Sequence, residues 1–296
     1  MKDLLDLALY RINKPGKVDL AKYPTDLGDA EEKKELKAGL EKDTQRISEQ
    51  QETLYAQGTR SLLLIFQAMD AAGKDSCIAH VMSGVNPQGC HVTSFKSPSM
   101  EELSHDFLWR HAKAVPPRGI IGIHNRSHYE EVLVVKVHPE YLVGQHLPGI
   151  ADPAKVDKEF WEGRYASIRD LETHLARQGV IILKFFLHLG KDAQKERFLE
   201  RIDDPKKNWK FNAGDVKERA YWDAYQQAYA DAIGATAAEH APWFIVPADD
   251  QWESRAIVGR AVREQLEALD LRMPTLDAKA KEVLAEAKAL LGKEQH

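Results

Sequence analysis

The chain predicts an α/β fold: a three-layer α/β/α domain built on a five-stranded parallel sheet, with helical extensions at both ends. Two observations carry this. Short apolar runs of strand character, at 62–66, 90–95, 119–124, 180–187 and 243–247, alternate with segments of helical period, the rhythm of a doubly wound parallel sheet. The first run also breaks into small residues and delivers a Gly-Lys pair at the start of a helical segment, in the stretch LLLIFQAMDAAGKDS (62–76).

Taken in order, residues 1–30 are polar and interrupted by Pro15, Gly16, Pro24 and Gly28, an arm laid over a core. From 30 to 57 the spacing of Leu36, Leu40, Ile47 and Leu54 predicts a highly charged helix ending at Gly58. After the first strand, 76–82 continues as helix until Gly84, Pro87 and Gly89 stop it. The strand at 90–95 leads through Lys96 and Pro98 into a helix over 100–113. Pro116 and Pro117 break the chain before the strand GIIGIH (119–124), which runs into Asn125, Arg126 and Ser127. The apolar run 132–137 fits either helix or strand.

Residues 154–178 are helical through Val156, Phe160, Ile168, Leu171 and Leu175, and VIILKFFL (180–187) reads as a central strand. A charged helix over 191–202 precedes the aperiodic DDPKKNWKFNAGD, then an aromatic-rich helix over 215–233. The strand WFIVP (243–247), a sheet-covering helix over 252–269 and an Ala-, Lys- and Leu-rich helix over 276–291 complete the chain. This divides it into an arm and helix (1–57), the α/β domain (58–271) and a terminal helix (272–296), with no internal repeat.

With 296 residues, 43% hydrophobic and 29% charged, the chain has material for a sizeable core. Its net charge of −5 argues against a nucleic-acid coat or a membrane-surface protein, so a polyanion would need a local basic surface. No apolar run approaches the roughly 20 residues of a membrane helix. The opening residues carry charges throughout, unlike a secretory signal. Two cysteines, Cys77 and Cys90, make neither a disulfide framework nor a zinc cluster, so a reducing, cytoplasmic setting is expected and both read as small apolar side chains.

The stretch 62–76 has the layout of a phosphate-binding loop (P-loop): a buried strand, a tight turn, and a helix N-terminus whose free N–H groups and dipole attract anions. Ala71, Ala72, Gly73, Lys74, Asp75 and Ser76 would surround the phosphates, Gly73 allowing close backbone approach and Lys74 supplying a mobile charge. Measured against G-x-x-x-x-G-K-[ST], Ala68 takes the first glycine's place and Asp75 that of the hydroxyl residue. The usual magnesium-holding hydroxyl is therefore missing, and Asp70 becomes the natural carboxylate for a hard cation.

Asn125 and Arg126 fall at a strand end facing the glycine loop, where Arg126 can bridge two phosphoryl groups with its planar fork. Lys96, Asp106 and Arg110 lie on the neighbouring loop and helix, placed to hold an acceptor. His124 and His128 flank the site, but phosphoryl transfer needs positioning and charge neutralisation more than a strong base. The segment 191–219 gathers Arg201, Lys207, Lys210, Lys217 and Arg219 around the possible hinges Asp204, Pro205 and Gly214. That is the composition of a helical lid closing over phosphates, or of a solvated charged helix. These features together make the chain P-loop kinase-like.

QAMDAAGKDS, NPQGCHVTSFKSPS, LSHDFLWRH, GIHNRSHYEEVLVVKVHPEYL, ILKFFLHL, KNWKF with GDVKERAYW, and APWFIVPADD resemble the polyphosphate kinase 2 family, over about residues 30–270. The form NRSHYE resembles its class III branch. The resemblance implies reversible transfer of the terminal phosphoryl group of inorganic polyphosphate to nucleoside mono- and diphosphates, with magnesium, or alternatively manganese. It also implies that Asp70, Gly73 and Lys74 form the Walker A site and that Asn125 and Arg126 take the Walker B place. Glu130 would tune the acceptor, and with Asp70 hold the metal. Arg201, Lys207, Lys210, Lys217 and Arg219 would belong to the lid and polyphosphate channel. Two departures stand out: His124 replaces the usual aromatic residue, and Asn125 lacks the charge of a Walker B aspartate. Family members often associate, so a homo-oligomer is expected. The rival readings are an ATP-dependent nucleoside-monophosphate kinase and a nucleotide-binding regulator with an inactive loop.

Overall fold

The most apolar runs of the sequence become the middle of a sheet. In the computed structural model, which describes residues 5–28, 33–150 and 152–293, the strands are β1 (Arg11–Ile12), β2 (Ser61–Ala68), β3 (Cys90–Ser94), β4 (Ile121–Asn125), β5 (Val180–His188) and β6 (Trp243–Pro247). The first helices are α1 (Lys33–Gln57), α2 (Lys74–Val81), α3 (Met100–Ser104), α4 (Trp109–Lys113) and α5 (Val134–Val137). They are followed by α6 (Lys158–Arg177), α7 (Lys191–Asp203), α8 (Ala213–Glu218), α9 (Trp222–Thr236), α10 (Gln251–Glu267) and α11 (Ala278–Leu291).

The sheet order is β1-β6-β5-β2-β4-β3, with β2 paired in parallel to both β4 and β5. The first parallel strand is thus central and the winding reverses beside it, which makes the carboxyl end of β2 a topological switch point, where open α/β sheets bind ligands. The five parallel strands are those the sequence predicts. The arm adds a sixth: β1 pairs antiparallel to β6 through Arg11↔Phe244 and Ile12↔Trp243. Two residues carry no period, so this edge strand has no signature in the sequence.

Every residue of β2 is buried. Leu62, Leu64 and Phe66 share a core with Leu40, Ile47 and Leu54 of α1 and Ile257, Val258 and Val262 of α10. Leu63 and Ile65 face the other layer, with Ile168 of α6 and Tyr229 and Ile233 of α9. Each such side chain contributes roughly 1.5–3 kcal/mol on full burial, so this double-faced strand is a rigid base for the loop that follows it.

Two helix predictions need correction, and one open reading is settled. The helix expected over 100–113 is two, because the Asp106 carboxylate accepts from the Leu108 amide (2.9 Å) and makes a turn between α3 and α4. The helix expected over 215–233 is likewise divided into α8, a 3-10 turn at Arg219–Tyr221, and α9. The run 132–137, which fits either type, is helical and ends in α5. The start expected for the first helix, at 30–32, lies outside the described residues. No helix among the described residues is long and apolar enough to cross a membrane.

Candidate active site

The loop leaving β2 is tight because its backbone adopts left-handed conformations at Ala71 (φ 64°) and Gly73 (φ 94°) before α2 starts at Lys74. Glycine takes that conformation freely, whereas a residue with a Cβ pays for it, so Ala71 must be held by its surroundings. It is: Arg197 Nη1 donates to the Ala71 carbonyl (2.8 Å), and its Nη2 donates to the carbonyls of Ala248 (2.6 Å) and Asp249 (2.9 Å). Gln194 Nε2 donates to the Asp70 carbonyl (2.9 Å). Both come from α7, whose first turns therefore form a wall fixed to the phosphate loop. Lys74 Nζ donates to the Ala68 carbonyl (3.1 Å), folding its charge back across the loop mouth.

Opposite stands Arg126. The register Phe66↔Asn125 brings the end of β4 level with the end of β2, and the Arg126 amide donates to the Phe66 carbonyl (3.0 Å) at φ 65°. Its guanidinium reaches Asp70 Oδ1 at 3.1 Å and Glu130 Oε2 at 3.7 Å. Asn125 Nδ2 donates to Asp75 Oδ1 (2.6 Å), tying the strand end to the first turn of α2. The segment that follows β4 is anchored by Tyr129, whose hydroxyl lies within hydrogen-bond distance of Glu172 (2.8 Å) in α6 and Thr236 (2.9 Å) in α9. Buried Lys184 donates to Glu172 (2.6 Å), the Tyr129 hydroxyl (3.0 Å) and the Thr236 carbonyl (2.9 Å). Gln67 donates to Glu130 Oε1 (2.8 Å) while its carbonyl accepts from Ser127.

Enclosure shifts these groups. Burial, with the Arg126 charge adding to it, pulls the Lys74 ammonium below the ordinary lysine value. Burial pushes the Glu130 carboxyl above its ordinary value, against the pull of Arg126 and Lys74. Glu130 itself keeps the Arg126 guanidinium charged. The cluster is a mixed-charge patch, partly enclosed and with Arg126 and Asp70 still open to the solvent side, where an incoming phosphate can meet them.

Two joined chambers open from it. One, of about 340 Å³, is lined by Asp70, Arg126, Glu130, Gln194, Asp215 and Arg219, with Tyr225 and Tyr229 behind. The other, of about 420 Å³, continues past Arg126 and Glu130 to Phe95, Lys96, Arg110, Glu131, Tyr141 and Gln145. A charged vestibule at a phosphate loop, opening into a pocket with aromatic and aliphatic walls, suits a phosphate chain and a nucleoside end to end.

The sequence profile of the polyphosphate kinase 2 family matches residues 30–274. The chain belongs to the polyphosphate kinase 2 family. It is 50% identical over 284 residues to the ADP-polyphosphate phosphotransferase of Rhodopseudomonas palustris, spanning 95% of this chain and 97% of the relative. It is 41% identical to the AMP/ADP-polyphosphate phosphotransferase of Meiothermus ruber, spanning 94% of this chain and 99% of the relative. The crystal structure of polyphosphate kinase 2 from Arthrobacter aurescens TC1 superposes with a TM-score of 0.82 at 39% identity, covering 93% of this chain and 95% of that one.

Within this family frame, the structure gathers Asp70, Lys74, Arg126 and Glu130 at one point and lines the second chamber with Lys96 and Arg110. Asp106 is exposed, caps the turn before α4, and lines neither chamber. Ser76 accepts from Arg255 Nη2 (2.6 Å), and Asp75 is engaged by Asn125. Of the lid cations, Arg219 faces Asp70 across the vestibule, donating to the Lys191 carbonyl (2.9 Å) and Gln194 Oε1 (2.8 Å). Arg201 lies 3.9 Å from Asp215, Lys207 pairs with Glu200, Lys210 sits 5.0 Å over the Trp209 ring, and Lys217 is exposed. His124 is buried, with Nε2 3.1 Å from the Ala114 carbonyl and its ring edge-on to Phe95; burial lowers it to about 4, so it packs as a neutral ring in the aromatic's place. Gln194, Arg197, Asp215, Tyr225 and Tyr229 are site residues that sequence reasoning does not single out. Arg197 does stand in the basic run, but nothing in a linear pattern separates a cation that ties down a loop from one that meets phosphate.

Proposed function

We propose that this chain is a polyphosphate-dependent nucleotide kinase of the class III kind, moving the terminal phosphoryl group of inorganic polyphosphate onto nucleoside mono- and diphosphates. The observation that carries the reading is Arg126, shared by the two chambers and held between Asp70 and Glu130. A guanidinium in that place contacts the transferring group from both donor and acceptor sides. The acceptor's nucleoside occupies the chamber of Phe95, Lys96, Arg110 and Tyr141. The donor lies along the vestibule and out over Arg219, Arg201, Lys207, Lys210 and Lys217, since a chain without base or sugar asks only for a basic groove. Lys74 neutralises charge developing on the transferring oxygens.

Asp70 and Glu130 offer hard oxygen donors, and among the described residues no group of three or more His, Cys, Asp or Glu forms an all-protein cage. That donor set fits magnesium, which is commonly held by one or two carboxylates together with substrate phosphates and water; when bound it would supply charge neutralisation across the phosphoryl group. A cytoplasmic setting belongs to the same reading, supported by Cys77 and Cys90, which are both free thiols. An association between copies is supported by the exposed Val283, Leu284, Leu290 and Leu291 of α11. The donor is tested by incubating the protein with magnesium and AMP plus either polyphosphate or ATP, then separating the nucleotides. Phosphorylation with polyphosphate supports the reading; phosphorylation with ATP alone returns the chain to an ordinary monophosphate kinase.

A further inference from the structure

The acceptor chamber and the lid meet at one side chain. The segment Pro139–Gln145 forms the chamber's outer wall through Glu140, Tyr141, Gly144 and Gln145. It starts from His138, whose side chain is only 10% exposed. Nε2 of His138 lies 2.9 Å from Oε2 of Glu218, the last residue of α8, and the Tyr225 hydroxyl donates to the same oxygen (2.7 Å). Nδ1 faces Glu140 Oε1 at 3.3 Å. Tyr141, Tyr221 and Tyr225 surround the ring with centroids at 5.7, 4.6 and 6.3 Å. Three separate stretches of chain converge on this imidazole: the acceptor wall, the end of the lid, and α9.

The next residue after Glu218 is Arg219, which bonds Gln194, which in turn bonds the Asp70 carbonyl. Polar contacts, with one step along the backbone from Glu218 to Arg219, therefore join the acceptor wall to the phosphate loop through the end of the lid. We propose that His138 and Glu218 form a clasp that docks the lid onto the acceptor wall, and so act as positioning residues that hold Arg219 over the phosphate loop while the acceptor chamber is formed. The chemistry of the contact is specific. A carboxylate oxygen only accepts, so His138 must donate from Nε2. Losing that donor leaves the Glu218 oxygen, on a half-buried side chain, with the Tyr225 hydroxyl as its remaining partner and frees α8 from the wall. Glu140 is solvent-facing, with 64% of its side chain exposed, and adds little.

The proposal rests on the polyphosphate-kinase reading and deepens it. The test is a double-mutant cycle in kcat/KM with saturating polyphosphate, run beside calorimetric binding of AMP in the absence of polyphosphate. His138→Ala and Glu218→Ala are each expected to lower kcat/KM about tenfold, and the pair together no more than either alone, because both break one contact. His138→Gln, which can present an amide donor near the former Nε2, should stay within about threefold of wild type. AMP affinity without donor should change by less than about twofold, since the clasp acts between lid and wall. Losses that multiply to about a hundredfold would show two independent effects and overturn the clasp. So would wild-type turnover in His138→Ala, no rescue by His138→Gln, or AMP affinity falling in step with kcat/KM, the mark of a collapsed chamber. A wild-type protein that transfers nothing from polyphosphate overturns the parent reading, and the clasp with it.

Discussion

Lys74 is a charge kept where its surroundings disfavour it: burial and Arg126 both work against the ammonium, and one carbonyl, that of Ala68, receives it in the structure. A group held against its own solvation is stabilised when a phosphate arrives, so Lys74→Ala is expected to lower kcat/KM by about 10²-fold or more. Its melting temperature should stay within about 3 °C of wild type, as the side chain anchors little else. Steady-state kinetics beside a thermal melt checks both, and near-normal turnover would remove Lys74 from the mechanism. Glu130 poses a finer question, because the relatives' names differ in whether AMP accompanies ADP. Its carboxylate touches the acceptor's phosphates only at a cost in repulsion and so acts through Arg126, 3.7 Å away, or a metal. A monophosphate, one phosphoryl shorter, needs that adjustment more. Glu130→Asn is therefore expected to lower kcat/KM for AMP several-fold more than for ADP; equal losses would make Glu130 a structural partner of Arg126. At this scale the sequence was informative where chemistry sits in a short motif, as at Asp70, Gly73, Lys74 and Arg126. It was silent on Gln194 and Tyr229, whose roles come from elements about 120 and more residues apart meeting in space.

Among elements, α7 changes its meaning most. The basic run 191–219 reads as one lid, yet Gln194 and Arg197 bind the phosphate loop and the carbonyls of Ala248 and Asp249, so the first turns of α7 belong to the base. The arm is also tied in: the Leu27 amide donates to Glu253 Oε2 (3.0 Å), and Thr25 to Asp249 (2.7 Å). Burial, with Asp26 and Asp250 nearby, raises the Glu253 carboxyl from 4.5 to about 7. The sign follows directly. The folded protein holds this proton more tightly than the unfolded chain, so the stability it contributes is present below 4.5 and is lost as pH rises through about 7. Glu253→Gln keeps an oxygen for Leu27 and removes the charge. It should raise the melting temperature at pH 8 by about 2–4 °C, the shift about 1 kcal/mol gives in a chain of this size, and flatten the decline from pH 5 to 8. Melts across that range check it; parallel curves for variant and wild type would refute it. The arm's β1 was illegible because two residues have no period, and the division of the helix at Asp106 because Asx turns compete with helices only locally.

For the molecule as a whole, a net charge of −5 must coexist with a donor that is a polyanion. The proposed reading reconciles them through Arg201, Lys207, Lys210, Lys217 and Arg219, which stand on the elements that follow β5, with Arg219 lining the vestibule. The KM for polyphosphate should therefore rise steeply with ionic strength while the KM for AMP rises less, because each neutralised phosphate adds to the salt slope and the nucleoside adds none. Equal slopes would sink the basic channel. The parallel sheet was legible chiefly because β2, β4, β5 and β6 are buried apolar runs, with half-exposed β3 marked only by its short apolar-polar stretch between turn residues; how the two chambers join was not, because Arg126 and Glu130 form their common wall only once β2 and β4 are in register. The most direct measurement is a time course starting from AMP, excess polyphosphate and magnesium with no ATP added. ADP should rise first and ATP follow, both drawing on polyphosphate; AMP that persists unchanged until ATP is supplied would contradict the account.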